Sequence, residues 1–199
     1  MKNDREYRNI SSQMLAGEED EKFLVEGYAC TFDEYTVFEI DGIEYKEKIE
    51  PTAFDDCDFS DVVVRIDHAG AVYARSKAGT VKNEIDRQGL HTVIDLSRTQ
   101  NSRNLYEDIK AGNYPQMSFC FSVREDGYDK ETHTRKIIKI DKVYDVSPVT
   151  FPANPNTELH ARSFFDGVIE KEKQEREIKA RREALMTEIL TEKVKEQIK

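Results

Sequence analysis

The sequence predicts an α+β fold: an antiparallel, strand-rich body with one or two helices, followed by a long helical tail. Three observations predict it. Between residues 23 and 149, short runs of β-branched and aromatic side chains alternate with Gly-, Asp- and Asn-containing turns, the pattern of short paired strands. Thr99–Gly112 has helical logic, with Leu105 and Ile109 four apart on one face. From about Ser163 the chain fills with Glu, Lys and Arg, and its apolar residues (Ile178, Leu185, Ile189; Met186, Leu190, Val194, Ile198) fall at near-helical intervals. These shifts divide the chain into a polar N-terminal segment (1–22), a main domain (23–162) and a charged helical tail (163–199).

In chain order, Glu6–Ile10 reads as a short strand before a turn over residues 16–20. Phe23–Phe32 is the first full strand, with Gly27 marking a bulge or a close backbone approach. Residues 33–44 read as a loop turning at Asp41-Gly42, and Tyr45–Glu50 as a strand. Pro51–Phe54 is a short helix, because proline suits a first helical position. A loop over 55–61 leads to the strand Val62–His68. Gly79–Asp86 and Gly89–Leu96 form a pair of strands turning at Asp86–Gly89. Thr99 or Asn101 caps the helix that follows, and Gly112 stops it. Tyr114–Val123 is a strand, 124–134 a polar loop, and Lys136–Val149 a strand ended by Thr150–Pro155.

Composition excludes several classes. Formal charge is 30 − 40 = −10; residues 163–199 hold nine basic and nine acidic groups, so the whole excess lies in 1–162. An acidic body argues against nucleic acid as partner. Mean hydropathy is −0.73, no apolar run approaches a membrane span, and no signal sequence opens the chain, so an intracellular protein without a membrane partner is expected. Cys30, Cys57 and Cys120 are odd in number and lack Cys-x-x-Cys spacing, which reads as reduced thiols. No metal site is expected, since His91, His133 and His160 share no ligand spacing, and no cofactor, since no Gly-rich phosphate loop follows a strand.

The strand Tyr114–Val123 is the most informative. Met117, Phe119, Phe121 and Val123 take one face, and Ser118, Cys120 and Ser122 the other. An uncharged row of hydroxyls and a thiol either lines a cleft or meets a closely packed layer. His68 ends a separate inward-facing row, beside Asp67 on the opposite face, and Asp145 sits within a third strand. Nucleophilic catalysis needs a hydroxyl within reach of a base and a third group orienting that base. Spacing alone leaves open whether these three meet.

The series Gly27-Tyr-Ala…Phe32, Ile49-Glu-Pro-Thr-Ala-Phe54, Asp67-His68, Gly89-Leu90, Met117-Ser-Phe-Cys-Phe121 and Tyr144-Asp-Val-Ser-Pro-Val-Thr-Phe-Pro-Ala-Asn154 resembles the prohead (capsid maturation) serine protease family of tailed phages. The resemblance spans about residues 23–160. It implies a β-barrel-like core with flanking helices, similar to the herpesvirus assemblin proteases. It further implies a serine endopeptidase that cuts scaffold, or the scaffolding segment of the major capsid protein, and itself, inside the procapsid in the host cytoplasm. Ser118 is then the nucleophile and His68 its base. Asp145 is the third member, with His91 the alternative and His133 behind it. Loop 97–100 is the expected source of oxyanion donors. The tail is expected to dock on the scaffold, to be trimmed beyond about residue 163, or both, and a homo-oligomer is compatible. The competing expectation is a catalytically silent assembly protein with the same fold.

Overall fold

The computed structural model describes residues 5–16, 23–150 and 155–197. In order, the strands are β1 (Arg5–Gln13), β2 (Leu15–Ala16), β3 (Leu24–Thr31), β4 (Tyr35–Ile40), β5 (Ile43–Ile49), β6 (Val63–Ile66), β7 (Ala69–Arg75), β8 (Val81–Ile85), β9 (Gly89–Asp95), β10 (Gln116–Asp129) and β11 (Thr134–Val149). Helix α1 (Gln100–Lys110) lies between β9 and β10, and α2 (Pro155–Gln197) follows β11. The turn expected over 16–20 falls largely outside the described residues, and Phe151–Asn154 wholly so. The chain divides into two compact units, Met1–His160 and Ala161–Lys199.

The class is α+β as expected, but the core is two open sheets rather than a barrel. One runs β1-β10-β11-β5-β4, with β6 and β7 branching from β11; the other runs β2-β3-β9-β8. The cause is the length of β11. One edge of it pairs with β10 along its whole course, while the other pairs in parallel with β5 at Thr134–Ile137 and then with β6 at Asp145. A strand with two successive partners on one edge branches the sheet instead of closing it. The parallel pairs also depart from the purely antiparallel expectation.

Two stretches read as loops are strands. Tyr35–Ile40 pairs with β5 through a turn at Asp41 and Gly42, both at positive φ (53° and 77°). That is the geometry of a tight two-residue hairpin. Residues 124–129 continue β10 and Thr134 opens β11, which leaves only 130–133 as the turn. The strand charges, which read as loop, are matched across the hairpin: Arg135 with Asp126, Lys136 with Asp129, Arg124 with Asp141. The strand Val62–His68 is in turn shorter than expected and ends at Ile66, and β7 was not foreseen. Helix α1 begins as predicted, with the Thr99 hydroxyl accepting from the Ser102 amide, and Gly112 leaves it at φ 82°. Gly89 is required by contact: a Cβ there would stand 1.9 Å from the Cys30 carbonyl oxygen.

The first unit has one apolar core. Val25, Cys30, Leu90 and Ile94 of the small sheet meet Ile49, Met117, Phe119, Phe121, Val143 and Val146 of the large one, with Leu105, Tyr106 and Ile109 of α1. In α2, by contrast, Ile178, Leu185, Met186, Ile189 and Leu190 are exposed.

A buried ion cluster ties β1, β5, β10 and β11 together. Arg8 pairs with both oxygens of Glu47, which is fully buried, and its Nη2 also donates to Glu6 at 2.6 Å. Arg135 reaches Glu6 at 2.7 Å, Glu47 at 3.1 Å and Asp126 at 2.5 Å, and the Tyr35 hydroxyl donates to Glu47. Burial pulls the Glu47 carboxyl upward, but the Arg8 and Arg135 guanidiniums outweigh it and hold it below 4.5. Removing one partner of such a cluster strands the others in a dry site. Glu47→Ala is therefore expected to cost about 3–5 kcal/mol in urea unfolding. Because the folded-state value is depressed, the carboxylate's contribution is complete above 4.5 and is lost as pH falls through the lowered value. The urea midpoint of the wild-type chain should accordingly fall with acidification in that window, and less steeply in Glu47→Gln; parallel slopes for the two would count against the assignment.

Candidate active site

The site is built on the regular part of the β10–β11 ladder. There Ser118 lies opposite Ser147 and Cys120 opposite Asp145. Residues two apart on a strand share a face, so these four small or polar side chains form one patch. The uncharged row of β10 thus faces an acid and a hydroxyl on β11. All four are buried.

His68 reaches this patch from a turn, not from a strand end. Asp67 and His68 are the two residues joining β6 to β7, both at positive φ (48° and 59°). Asp and His are among the few non-glycine residues that adopt this conformation with any frequency. The turn is fastened to the end of β11. The Asp67 amide donates to the Pro148 carbonyl at 3.1 Å, and its carboxylate accepts from the Thr150 amide (3.0 Å) and hydroxyl (2.6 Å). Asp67 therefore holds the turn and leaves His68 to Asp145.

The imidazole bridges the patch. Its Nδ1 lies 2.5 Å from Asp145 Oδ1 and its Nε2 2.7 Å from Ser118 Oγ. The side chains of His68 and Asp145 are each 8 % exposed. A carboxylate at that distance requires the proton on Nδ1, which leaves a lone pair at Nε2 facing the hydroxyl. The Tyr7 ring meets the imidazole edge-on, with centroids 4.7 Å apart. Ser118 Oγ also donates to the Arg8 main-chain oxygen at 2.8 Å, so the hydroxyl has two acceptors for one hydrogen. Chemically, the arrangement can deprotonate a serine hydroxyl and hold the resulting imidazolium against a carboxylate.

The other sequence candidates lie elsewhere. His91 sits on β9 in the small sheet, 3.7 Å from Glu26 and against the Tyr28 ring. His133 stands in the β10–β11 turn, with Nδ1 3.1 Å from the Tyr128 hydroxyl and its ring on Tyr45. Loop 97–100 serves the start of α1: the Ser97 amide donates to Asp95, and Thr99 caps the helix. Tyr7, the Arg8 carbonyl, Ser147 and the Asp67–Thr150 tie were not anticipated. Only Ser147 carried a signal, being two residues from Asp145 and so on its face. Among the described residues no group of three or more His, Cys, Asp or Glu could hold a metal ion, and no helix is long and apolar enough to cross a membrane.

A family model described as caudovirus prohead serine protease matches residues 10–169, well over half of the chain. The chain belongs to this family of serine peptidases. No curated protein and no solved structure matches it.

Cys120 shares the face of Ser118 but is a poor nucleophile. Burial first, and the nearby Asp145 charge second, push its thiol up to about 12; burial does the same for Cys30 and Cys57. Since only the thiolate reacts, iodoacetamide at about pH 8 should leave the native chain's mass unchanged. All three cysteines should be labelled in denaturant. Rapid native labelling of Cys120 would contradict this account.

Proposed function

We propose that the chain is a serine endopeptidase of prohead maturation, with Ser118 as nucleophile, His68 as general base and then acid, and Asp145 as the group that orients and charge-balances the histidine. The observation that supports this most is the unbroken chain of contacts Asp145–His68–Ser118 at 2.5 and 2.7 Å in a chain of this family. Asp145 takes the third place over His91 because it meets Nδ1 directly, while His91 is engaged with Glu26.

The chemistry follows from the protons. Ser118 Oγ attacks the scissile carbonyl carbon as its hydrogen passes to His68 Nε2. The imidazolium is stabilised by Asp145 through Nδ1–H. Collapse of the tetrahedral intermediate expels the amine, which takes the proton from Nε2. Water then repeats the sequence on the acyl-enzyme and restores the hydroxyl. Burial of His68 and Asp145 strengthens their attraction, because little solvent screens it.

The substrates under this reading are the scaffold, or the scaffolding segment of the major capsid protein, and the chain itself. The setting is the procapsid within the host cell. The exposed apolar residues of α2, interleaved with charge, suit docking against helical scaffold.

Co-expression with the phage's coat and scaffold proteins, followed by intact mass of every band, tests the assignment. Wild type should shorten the partner or itself. Ser118→Ala should lower cleavage by about 10⁴-fold or more, and Asp145→Asn by about 10⁴-fold, since the amide supports the wrong tautomer. Equal behaviour of wild type and Ser118→Ala, with assembly proceeding, would leave the silent assembly protein as the reading. The same masses test self-processing: the active chain should lose residues beyond about 163, and a full-length active species alone would refute the trimming.

A further inference from the structure

Ser147 stands outside the Ser118–His68–Asp145 chain, yet its hydroxyl is aimed at it. Ser147 Oγ donates to Asp145 Oδ1 at 2.7 Å, the same oxygen that meets His68 Nδ1 at 2.5 Å. Ser147 is 0 % exposed and Asp145 5 %, so both ends of this bond lie largely out of solvent. Its backbone lies directly opposite Ser118 in the ladder. The residue that grips the acid is therefore the one whose main chain is registered to the nucleophile.

We propose that Ser147 is a positioning residue, a fourth member of the site that fixes the Asp145 carboxylate relative to Ser118. This rests on the reading of Ser118, His68 and Asp145 as the reacting groups. A carboxylate on a strand turns about two side-chain torsions, and a single bond from His68 leaves it free to follow the imidazole. The second donor, set on the same strand face two residues away, stops that motion. It also shares the carboxylate's charge, since a hydroxyl donating to an anion makes a stronger bond than one between neutral groups. Tyr7 and Cys120 border the same carboxylate but are pushed up to about 12, Tyr7 by burial and by Cys120, and Cys120 by burial and by the Asp145 charge. Both stay neutral and add no competing charge. Arg5 and Arg65, the cations felt at Cys120, act there from further along the strands.

An alkyl fluorophosphonate tests this without the natural substrate. As it labels Ser118, an Oγ–P bond forms, fluoride leaves, and the hydroxyl proton passes to His68. With the full-length chain, Ser147→Ala should slow the maximal labelling rate about tenfold or more while leaving the half-saturating probe concentration within about twofold. Ser147→Thr, which keeps the hydroxyl, should restore most of the rate. The low-field proton resonance of the His68 Nδ1–H bond should move in Ser147→Ala and return in Ser147→Thr. Should Ser147→Ala fold poorly, Ser147→Cys, a near-isosteric and weaker donor, reads the same quantities. If Ser118→Ala is labelled like wild type, the site reading itself fails. If Ser118→Ala is inert but Ser147→Ala labels at the wild-type maximal rate, the site stands and the positioning role is overturned. A slow Ser147→Ala with an unmoved resonance and no rescue by threonine overturns it as well, leaving Ser147 a packing residue.

Discussion

The register between β10 and β11 is the constraint on which the site depends. Ser118 opposite Ser147 and Cys120 opposite Asp145 put two hydroxyls, a thiol and a carboxylate on one face. Because side chains alternate every residue, a slip of one position would carry Asp145 and Ser147 to the far side of the sheet and bring Val146 in their place. The apolar row holds the register from the other face, with Met117, Phe119 and Val146 fully buried. The ion cluster of Arg8, Glu6, Glu47, Arg135 and Asp126 ties the distal end of the same hairpin to β1 and β5. Core and salt cluster thus determine where a hydroxyl and a carboxylate stand.

β1 joins these two systems. The Arg8 side chain is held by Glu47, while its main-chain oxygen accepts from Ser118 Oγ. The buried charges therefore bear on the Ser118 hydroxyl through one residue's backbone. A buried ion pair is weak grounds for stability by itself, because desolvation offsets much of the attraction. Its role here is better described as fixing which strand lies beside β10 and where.

Much of this was legible in residues and much was not. Ser118 stood out because an alternating strand with an uncharged second face is unusual, and His68 because it ends an inward-facing row; Asp145 was noted within a third strand, and only the resemblance gave the three their roles. The helix α1, its Thr99 cap and Gly112 were local signals, and local chemistry decides such features. The charged half of the β10–β11 hairpin was misread as loop because its polar residues are paired across strands, and β4 because its pairing with β5 decides its state; one sequence window shows neither. The branching of the sheet at β11 was hidden for the same reason: it depends on which strands meet, not on what each contains. Tyr7 and the Arg8 carbonyl were invisible because β1 reaches Ser118 across more than a hundred residues.

His68 occupies a place in the backbone that folding would give to another residue. At φ 59°, in a two-residue turn, asparagine or glycine is the more natural occupant. A side chain of the wrong shape there carries a cost of about 1 kcal/mol or more. Local structure and chemistry thus pull in opposite directions at one position, as they do where function overrides propensity. The consequence is a trade within the fold. Asparagine or glycine at this position would relieve the backbone but withdraw the imidazole from the nearly buried Asp145 carboxylate, so the contact with Asp145 opposes the preference of the turn.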